Sequence, residues 1–411
     1  MNTDRLLERF LRYVKIESTA NPEDGGYPSS AGQLVMGHIL ALELLEMGLA
    51  DARQNEYGIV YATVPATVQK AVPTIAFCSH MDTSPEASGK DVRPQIIRDY
   101  AGGDITLPAD RQKVILVSEN PALEKLLHKT IITTDGTTLL GGDDKAGIAI
   151  IMETAQWLLE HPEIPHGPVR ICFTCDEEVG RGVDKIDLKD IDATVCYTLD
   201  GHASNEIDTE TFSADQAIVT ITGVNIHPSI AKNRMTNALK VAAAFLARLP
   251  RERLAPEATE GREGFVHPFD ISGSVAEVKI KFLLRDFDAA QLTCQAELLR
   301  KTAAEVMQEF TAAKIEINVG RQYRNMAEGL VNEPRAVGFA EEALQRLGRT
   351  AKRTLVRGGT DGSRLTEIGL PTPNLSCGDH SPHSPLEWVC LEEMAESVEW
   401  LLSLVQVWAE K

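Results

Sequence analysis

"VRICFTCDEEVGRG", residues 169–182, runs as an apolar, β-type segment and then breaks into Asp176, Glu177 and Glu178 before a glycine. Three adjacent carboxylates where a buried strand ends cost like-charge repulsion and desolvation, unless a cation sits among them or one keeps its proton. Either the segment is a solvated loop, or the charge is needed. The surrounding segments help to decide. "GIVYATV", "VPTIAFCSH" and "TVCYTLD" are further short β-rich runs, and "AGIAIIMETAQWLLE" has a helical pattern. Strands separated by helices predict an α/β fold with a mostly parallel central sheet flanked by helices. In such sheets chemistry gathers where the strands end.

From about residue 213 the texture changes. "AIVTITG" reads as a strand and "NALKVAAAFLARL" as an amphipathic helix. "SVAEVKIKFLL" alternates Val278, Ile280 and Phe282 with Glu277, Lys279 and Lys281, the pattern of a sheet with one face in solvent. With "FVHPFDIS", the long helix "AAQLTCQAELLRKTAAEVMQEF" and the strand "KIEINV", the order is β-α-β-β-α-β, a ferredoxin-like α+β small domain. The expected division is one domain of residues 1–212 and 322–411, with residues 213–321 inserted into it as a second, smaller domain.

The chain has 411 residues, 43% of them hydrophobic and 25% charged, which suits a globular protein of two domains. Its formal charge of -19, from 41 basic and 60 acidic residues, argues against a nucleic-acid partner, whose phosphates need clustered Lys and Arg. No apolar run approaches the about 20 residues of a membrane span. In "MNTDRLLERFLRYVKIEST", Asp4 and Glu8 break the pattern of a targeting peptide. Seven scattered cysteines suit reduced thiols better than a disulfide framework, so a cytoplasmic protein is expected. Cys172 and Cys175 stand three apart on a strand and so point to opposite faces, which speaks against a zinc knuckle.

Other polar residues also fall at strand ends. "AFCSHMDTS" leaves its apolar run at His80 and Asp82, which share a face of an extended strand. "LLGGDDKAG" places Asp143 and Asp144 before a helix, "CYTLDG" ends in Asp200, and "CGDHSPHSPLEW" offers His380 and His383. Singly, each has an ordinary explanation: a helix N-cap, a turn residue, an ion pair, a solvated acidic face. Together, four strand-to-loop transitions supply two histidines and four or more carboxylates. That donor set matches zinc, and one aspartate can bridge two ions. One of the three acids of residues 176–178 would then bind metal while a neighbour moves a proton.

The motifs "HMDTS", "GGDDKAGIA", "CDEEVGRG", "YTLDG", "NIHPSIAKNRMTNAL", "LLRDFD", "VRGGTDGSRL" and "HSPLEW" occur in an order that resembles the peptidase T family, tripeptide aminopeptidases of the di-zinc exopeptidase superfamily. The resemblance spans nearly the whole chain. It implies two Zn2+ ions per subunit, other divalent metals being admissible: His80 and Asp200 on one, Glu178 and His383 on the other, with Asp143 bridging. It implies Glu177 as general base, Asp82 as the residue orienting His80, and His227 as a donor to the carbonyl oxyanion. Arg285 and Arg357 suit a substrate carboxylate, and Asn325 the substrate backbone. His383 is chosen over His380 because it precedes Glu387 by four positions, as the family ligand does. Short peptides are the implied substrates, and a homodimer through the inserted domain is admitted. The competing readings are an N-acyl amino acid deacylase or desuccinylase of the same superfamily, a metal-free paired-carboxylate hydrolase, and an inactive binding protein.

Overall fold

A computed structural model describes all residues, Met1–Lys411. The chain divides into two compact units. The first comprises Met1–Thr209, Gly329–Thr354 and Thr360–Lys411; the second comprises Glu210–Glu328 and Leu355–Gly359.

The first unit is built on a mixed sheet. Its centre is four strands in the order Val169–Thr174, Ile75–His80, Val195–His202 and Asn374–His380, each parallel to its neighbour. Antiparallel strands extend both margins: Val60–Val64 beside Val169–Thr174 on one side, and Trp388–Cys390, Ile131–Thr133 and Gln95–Ile97 on the other. The Ile75–His80 strand is buried throughout, as a parallel strand covered on both faces must be. The helices Gly142–Glu160 and Leu391–Glu410 pack on each other and on the sheet, with Thr3–Tyr13 against the former. Leu365 and Leu370 join Cys78, Cys172, Cys196 and Tyr61 in a separate buried cluster. Cys172 and Cys175 are both free and buried.

Register carries this architecture to the site. His80 pairs with Thr174, and Cys78 pairs with both Cys172 and Thr198. The carboxyl ends of three adjacent parallel strands are therefore level, so His80, the segment after Thr174 and Asp200 emerge side by side.

The second unit is a four-stranded antiparallel sheet in the order Phe265–Gly273, Glu277–Asp286, Ser213–Thr222, Lys314–Tyr323. With the helices Ala238–Ala247 and Ala289–Glu309 it follows the β-α-β-β-α-β order expected from the sequence. Val278, Ile280, Phe282 and Leu284 are buried under those helices, while Glu277, Lys279 and Lys281 are exposed. No helix of the protein is long and apolar enough to cross a membrane.

Candidate metal centre and active site

His80 is the last residue of its strand and is 2% exposed. Its Nδ1–H donates to the main-chain oxygen of Asp82 at 3.0 Å, which fixes the ring and turns Nε2 towards Asp143 and Asp200. Nε2 lies 2.9 Å from Asp143 Oδ1 and 3.8 Å from Asp200 Oδ1. Tying one ring nitrogen so that the other faces a group of acids is how proteins orient metal-binding histidines.

Asp143 divides its carboxylate between two histidines. Oδ1 faces His80, and Oδ2 lies 3.2 Å from His383 Nε2. His383 Nε2 is in turn 2.9 Å from Glu178 Oε2. The geometry thus contains two donor groups, His80 with Asp200 and His383 with Glu178, that share Asp143. The backbone at Asp143 and Asp144 is not yet helical, and regular helix begins at Lys145. Asp144 faces the other way: it is fully buried and accepts the amides of His80 and Gly147, both at 3.2 Å. It also stands within ligand distance of His80 and Asp200.

The three acids of residues 176–178 have separate places. Asp176, in the left-handed region at φ 62°, accepts the Ser29 amide (2.9 and 3.0 Å), the Ser29 hydroxyl, Gln33 Nε2 (2.7 Å) and Arg181 Nη2 (2.8 Å). It anchors the turn. Glu177 and Glu178 follow in a single 3-10 turn, whose first amides both donate to the Asp82 carboxylate at 3.1 Å. Asp82 therefore holds that turn with its side chain and His80 with its main-chain oxygen.

Electrostatics explain why the crowding calls for a cation. Burial, then the charge of Asp143, pushes the Glu178 carboxyl up to about 8 and that of Asp200 up to about 6. Burial likewise raises Glu177 well above the usual carboxylate range, against the pull of His80. For Asp143, burial opposes charge, but His383 and His80 overcome it and hold the carboxyl well below that range. Glu178 Oε1 is buried without a hydrogen-bond partner. Two imidazole nitrogens, convergent carboxylates and one orphaned carboxylate oxygen fit divalent metal of the zinc type. Calcium or magnesium sites would be built from oxygen donors.

Several supporting residues carry no motif of their own. Glu387, 1% exposed, accepts the amides of Leu140 (2.6 Å), Gly141 (2.8 Å) and Asp143 (3.1 Å), and so pins the turn that presents Asp143. Asp379 is 2% exposed, its carboxylate lies behind Gly142, and its partner is His202, with Nδ1 to Oδ2 at 3.7 Å. Pairing with Asp379 raises the His202 imidazole to about 9. Asp361 accepts from the Thr174 hydroxyl at 2.6 Å beneath the strand end. The signal for these lay only in their being polar at buried positions. His380, the alternative to His383, stacks on Trp388 and bonds Glu393 at 2.7 Å.

The remaining candidates belong to the second unit. His227 is exposed, and its Nδ1 accepts the Ser229 amide at 3.3 Å, which leaves Nε2–H as a donor. Arg285 Nη1 donates to the main-chain oxygens of Asp215 and Leu284, both at 3.1 Å. Arg357 Nη1 donates to those of Gly261 (3.0 Å) and Glu263 (2.8 Å), and its guanidinium lies over Phe212. The Asn325 side chain accepts the amides of Thr211 and Ala327 and donates to Phe287 O, so it is spent on local backbone.

A parallel sheet whose level strand ends gather two histidines and several buried carboxylates around one shared aspartate defines a metallohydrolase. The profile of Peptidase family M20/M25/M40 matches residues 135–407. A peptidase T of Geobacillus thermodenitrificans (strain NG80-2) is 42% identical over 406 residues, 99% of this chain and 98% of the relative. The peptidase T of Bacillus subtilis (strain 168) is 40% identical over 403 residues, 98% of each. Among solved structures, a tripeptidase from Staphylococcus aureus superposes with a TM-score of 0.78 at 23% identity, covering 100% of both chains, and so shares the fold. The chain belongs to the peptidase T family of the M20/M25/M40 peptidases, and is a metallo-exopeptidase.

Proposed function

We propose that this enzyme removes the N-terminal residue from short peptides, tripeptides above all, with two zinc ions held by His80 and Asp200, by Glu178 and His383, and by Asp143 between them. The observation that carries the reading is the split of the Asp143 carboxylate between His80 and His383. When bound, such ions supply Lewis acidity, lowering the pKa of an attacking water and polarising the peptide carbonyl.

The protein's own residues do the rest. Glu177, next to a metal-binding neighbour on a turn held by Asp82, takes the proton of the attacking water and later returns it to the leaving amine. Its raised carboxyl pKa suits a group that must both accept and release a proton near neutral pH. Asp82 keeps His80 and the Glu177 turn in register with each other. His227, through Nε2–H, donates to the oxyanion that forms at the carbonyl. Arg285, Arg357 and Asn325 are the second unit's candidates for substrate contact.

Residues 213–321 act in this reading as the lid or dimerisation-type domain, and residues 1–212 with 322–411 as the zinc-binding catalytic domain. A homodimer would form through the inserted segment, supported by Phe269 and Ile271, exposed on the edge strand Phe265–Gly273. Cytoplasmic residence belongs to the same proposal, on the odd, scattered set of seven cysteines.

The test is release of the first residue from a free tripeptide and from its N-acetylated analogue, before and after chelation. Cleavage of the free peptide alone, lost with chelator and restored by zinc, supports the aminopeptidase reading. Preference for the acylated compound points to the deacylase alternative, and chelator-resistant cleavage overturns the metal assignment.

A further inference from the structure

The helix Ala31–Glu46 is apolar on both sides. Its inner face, with Met36, Leu40, Ala41 and Leu44, is buried, and Gln33 beside them donates from Nε2 to Asp176 at 2.7 Å. The outer face of a surface helix is ordinarily polar. Here Leu34, Val35, Leu42 and Leu45 are between 42% and 53% exposed, with His38 and the half-buried Ile39 among them. Positions 34, 38, 42 and 45 recur every three or four residues, so these side chains form one continuous stripe. A contiguous stripe of large apolar side chains open to water marks a contact surface.

The charges at its two ends say what covers it. At the C-terminal end Glu43 pairs with Arg9 at 2.7 Å and with Arg12, while Glu46 is exposed and in no ion pair. At the N-terminal end Leu34 packs against Gly58, where an added Cβ would meet its Cδ2 at 2.9 Å. Lys185 lies over the ring of the adjoining Tyr57, its Nζ 5.4 Å from the centroid. Asp184 is taken by Arg364 at 3.2 Å, which leaves Lys185 exposed and in no ion pair. The stripe thus runs from an unpaired cation to an unpaired anion, over the roughly 18 Å that the helix rises between residues 34 and 46. Such a surface is complementary to itself when a second copy is laid antiparallel across a two-fold axis. Each Glu46 then meets the other copy's Lys185, and Leu34 and Val35 meet Leu42 and Leu45. Parallel packing would set Glu46 against Glu46. Shape agrees with charge: a cavity of about 500 Å³, bounded by Arg9, Arg12, Ile39, Leu42, Glu46 and Met47, lies beside the C-terminal half of the helix and faces the other copy's projecting Val35 in this arrangement.

We propose that the chain self-associates through the outer face of Ala31–Glu46, two copies packing antiparallel about a two-fold axis. The surface belongs to the first unit and is separate from the edge strand Phe265–Gly273 of the second. A helix of 16 residues is about 24 Å long, a small footprint. The association is therefore weak and reversible, of the kind made by interfaces under about 1,200 Å².

The experiment is sedimentation equilibrium of the full chain from about 1 to 500 μM, the range in which a micromolar dimer forms. It compares wild type, Leu42→Asp, Glu46→Lys, Lys185→Glu and Phe269→Asp, with circular dichroism and tripeptide cleavage as checks of folding. Wild type should gain mass as concentration rises. Leu42→Asp, which sets carboxylates into the apolar seam, should raise the dissociation constant by about 100-fold or more. Glu46→Lys and Lys185→Glu should each weaken association by about 10-fold alone, because both end contacts become like-charged. An equimolar mixture of those two variants should regain the wild-type strength, since both contacts of the mixed pair again join opposite charges. That recovery decides the matter even where Leu42→Asp fails to fold. A mass independent of concentration, an association that Phe269→Asp abolishes and Leu42→Asp leaves intact, or a mixture no stronger than either variant alone, overturns the inference.

Discussion

The carboxylate of Asp82 lies 3.1 Å from the amide of Glu177 and accepts its hydrogen, across 95 positions of sequence. The second oxygen takes the Glu178 amide, and the main-chain oxygen of Asp82 takes the Nδ1–H of His80. One residue thereby fixes the distance between the His80 imidazole and the turn of Glu177 and Glu178.

Asp82→Ala should therefore act on the turn, since the main-chain acceptor of His80 stays in place. The two amides lose their acceptor, and the turn carrying Glu177 and Glu178 loosens. Removing such a supporting carboxylate typically costs about 10- to 100-fold in metal affinity or activity. Titration with zinc alongside kcat at saturating metal separates the two effects, and a kcat restored in full by excess zinc would mean that the turn does not depend on Asp82.

Glu387 should matter for folding as well as for catalysis. Its buried carboxylate accepts three main-chain amides around Gly141. Truncation to Ala strands them, at about 1 to 3 kcal/mol for each group left unpaired. Urea unfolding of Glu387→Ala should show a loss of at least about 3 kcal/mol with an unchanged m-value, and Glu387→Gln, which keeps an acceptor oxygen, a smaller one.

The strand ends were legible because the chemistry is local there: an apolar run that stops at His80 or Asp200 announces itself. The β-α-β-β-α-β order was legible for the same reason, since Val278, Ile280 and Phe282 alternate with charged residues. The supports of the site were not legible. Asp176 finds Ser29 and Gln33, and Glu387 finds the 140–143 turn, over separations of 143 to 247 residues. Nothing in "DEE" says which acid anchors the turn, because all three share one composition and only the tertiary partners differ.

Stability of the metal-stripped protein should fall as pH rises from about 5 to 8. Burial raises Glu178 to about 8 and Asp200 to about 6 in the folded state, so the native protein holds protons that the unfolded chain has already lost. A raised pKa contributes stability that is fully present below the unfolded value and disappears as pH passes the folded one. His383, held above its ordinary value chiefly by Asp143, acts in the same direction. Bound zinc displaces these protons, so the decline should disappear on reloading. Thermal unfolding with and without metal at pH 5, 6.5 and 8 checks this, and parallel curves would contradict it.

The central claim is that Glu177 moves the proton while its neighbour Glu178 holds metal. Its most direct test is Glu177→Gln with metal content and single-turnover tripeptide cleavage measured on the same preparation. The account predicts two metal ions per chain, as in wild type, and cleavage slowed by about 10²- to 10⁴-fold, the usual contribution of a general base. A variant that keeps both ions and cleaves at close to the wild-type rate would contradict it.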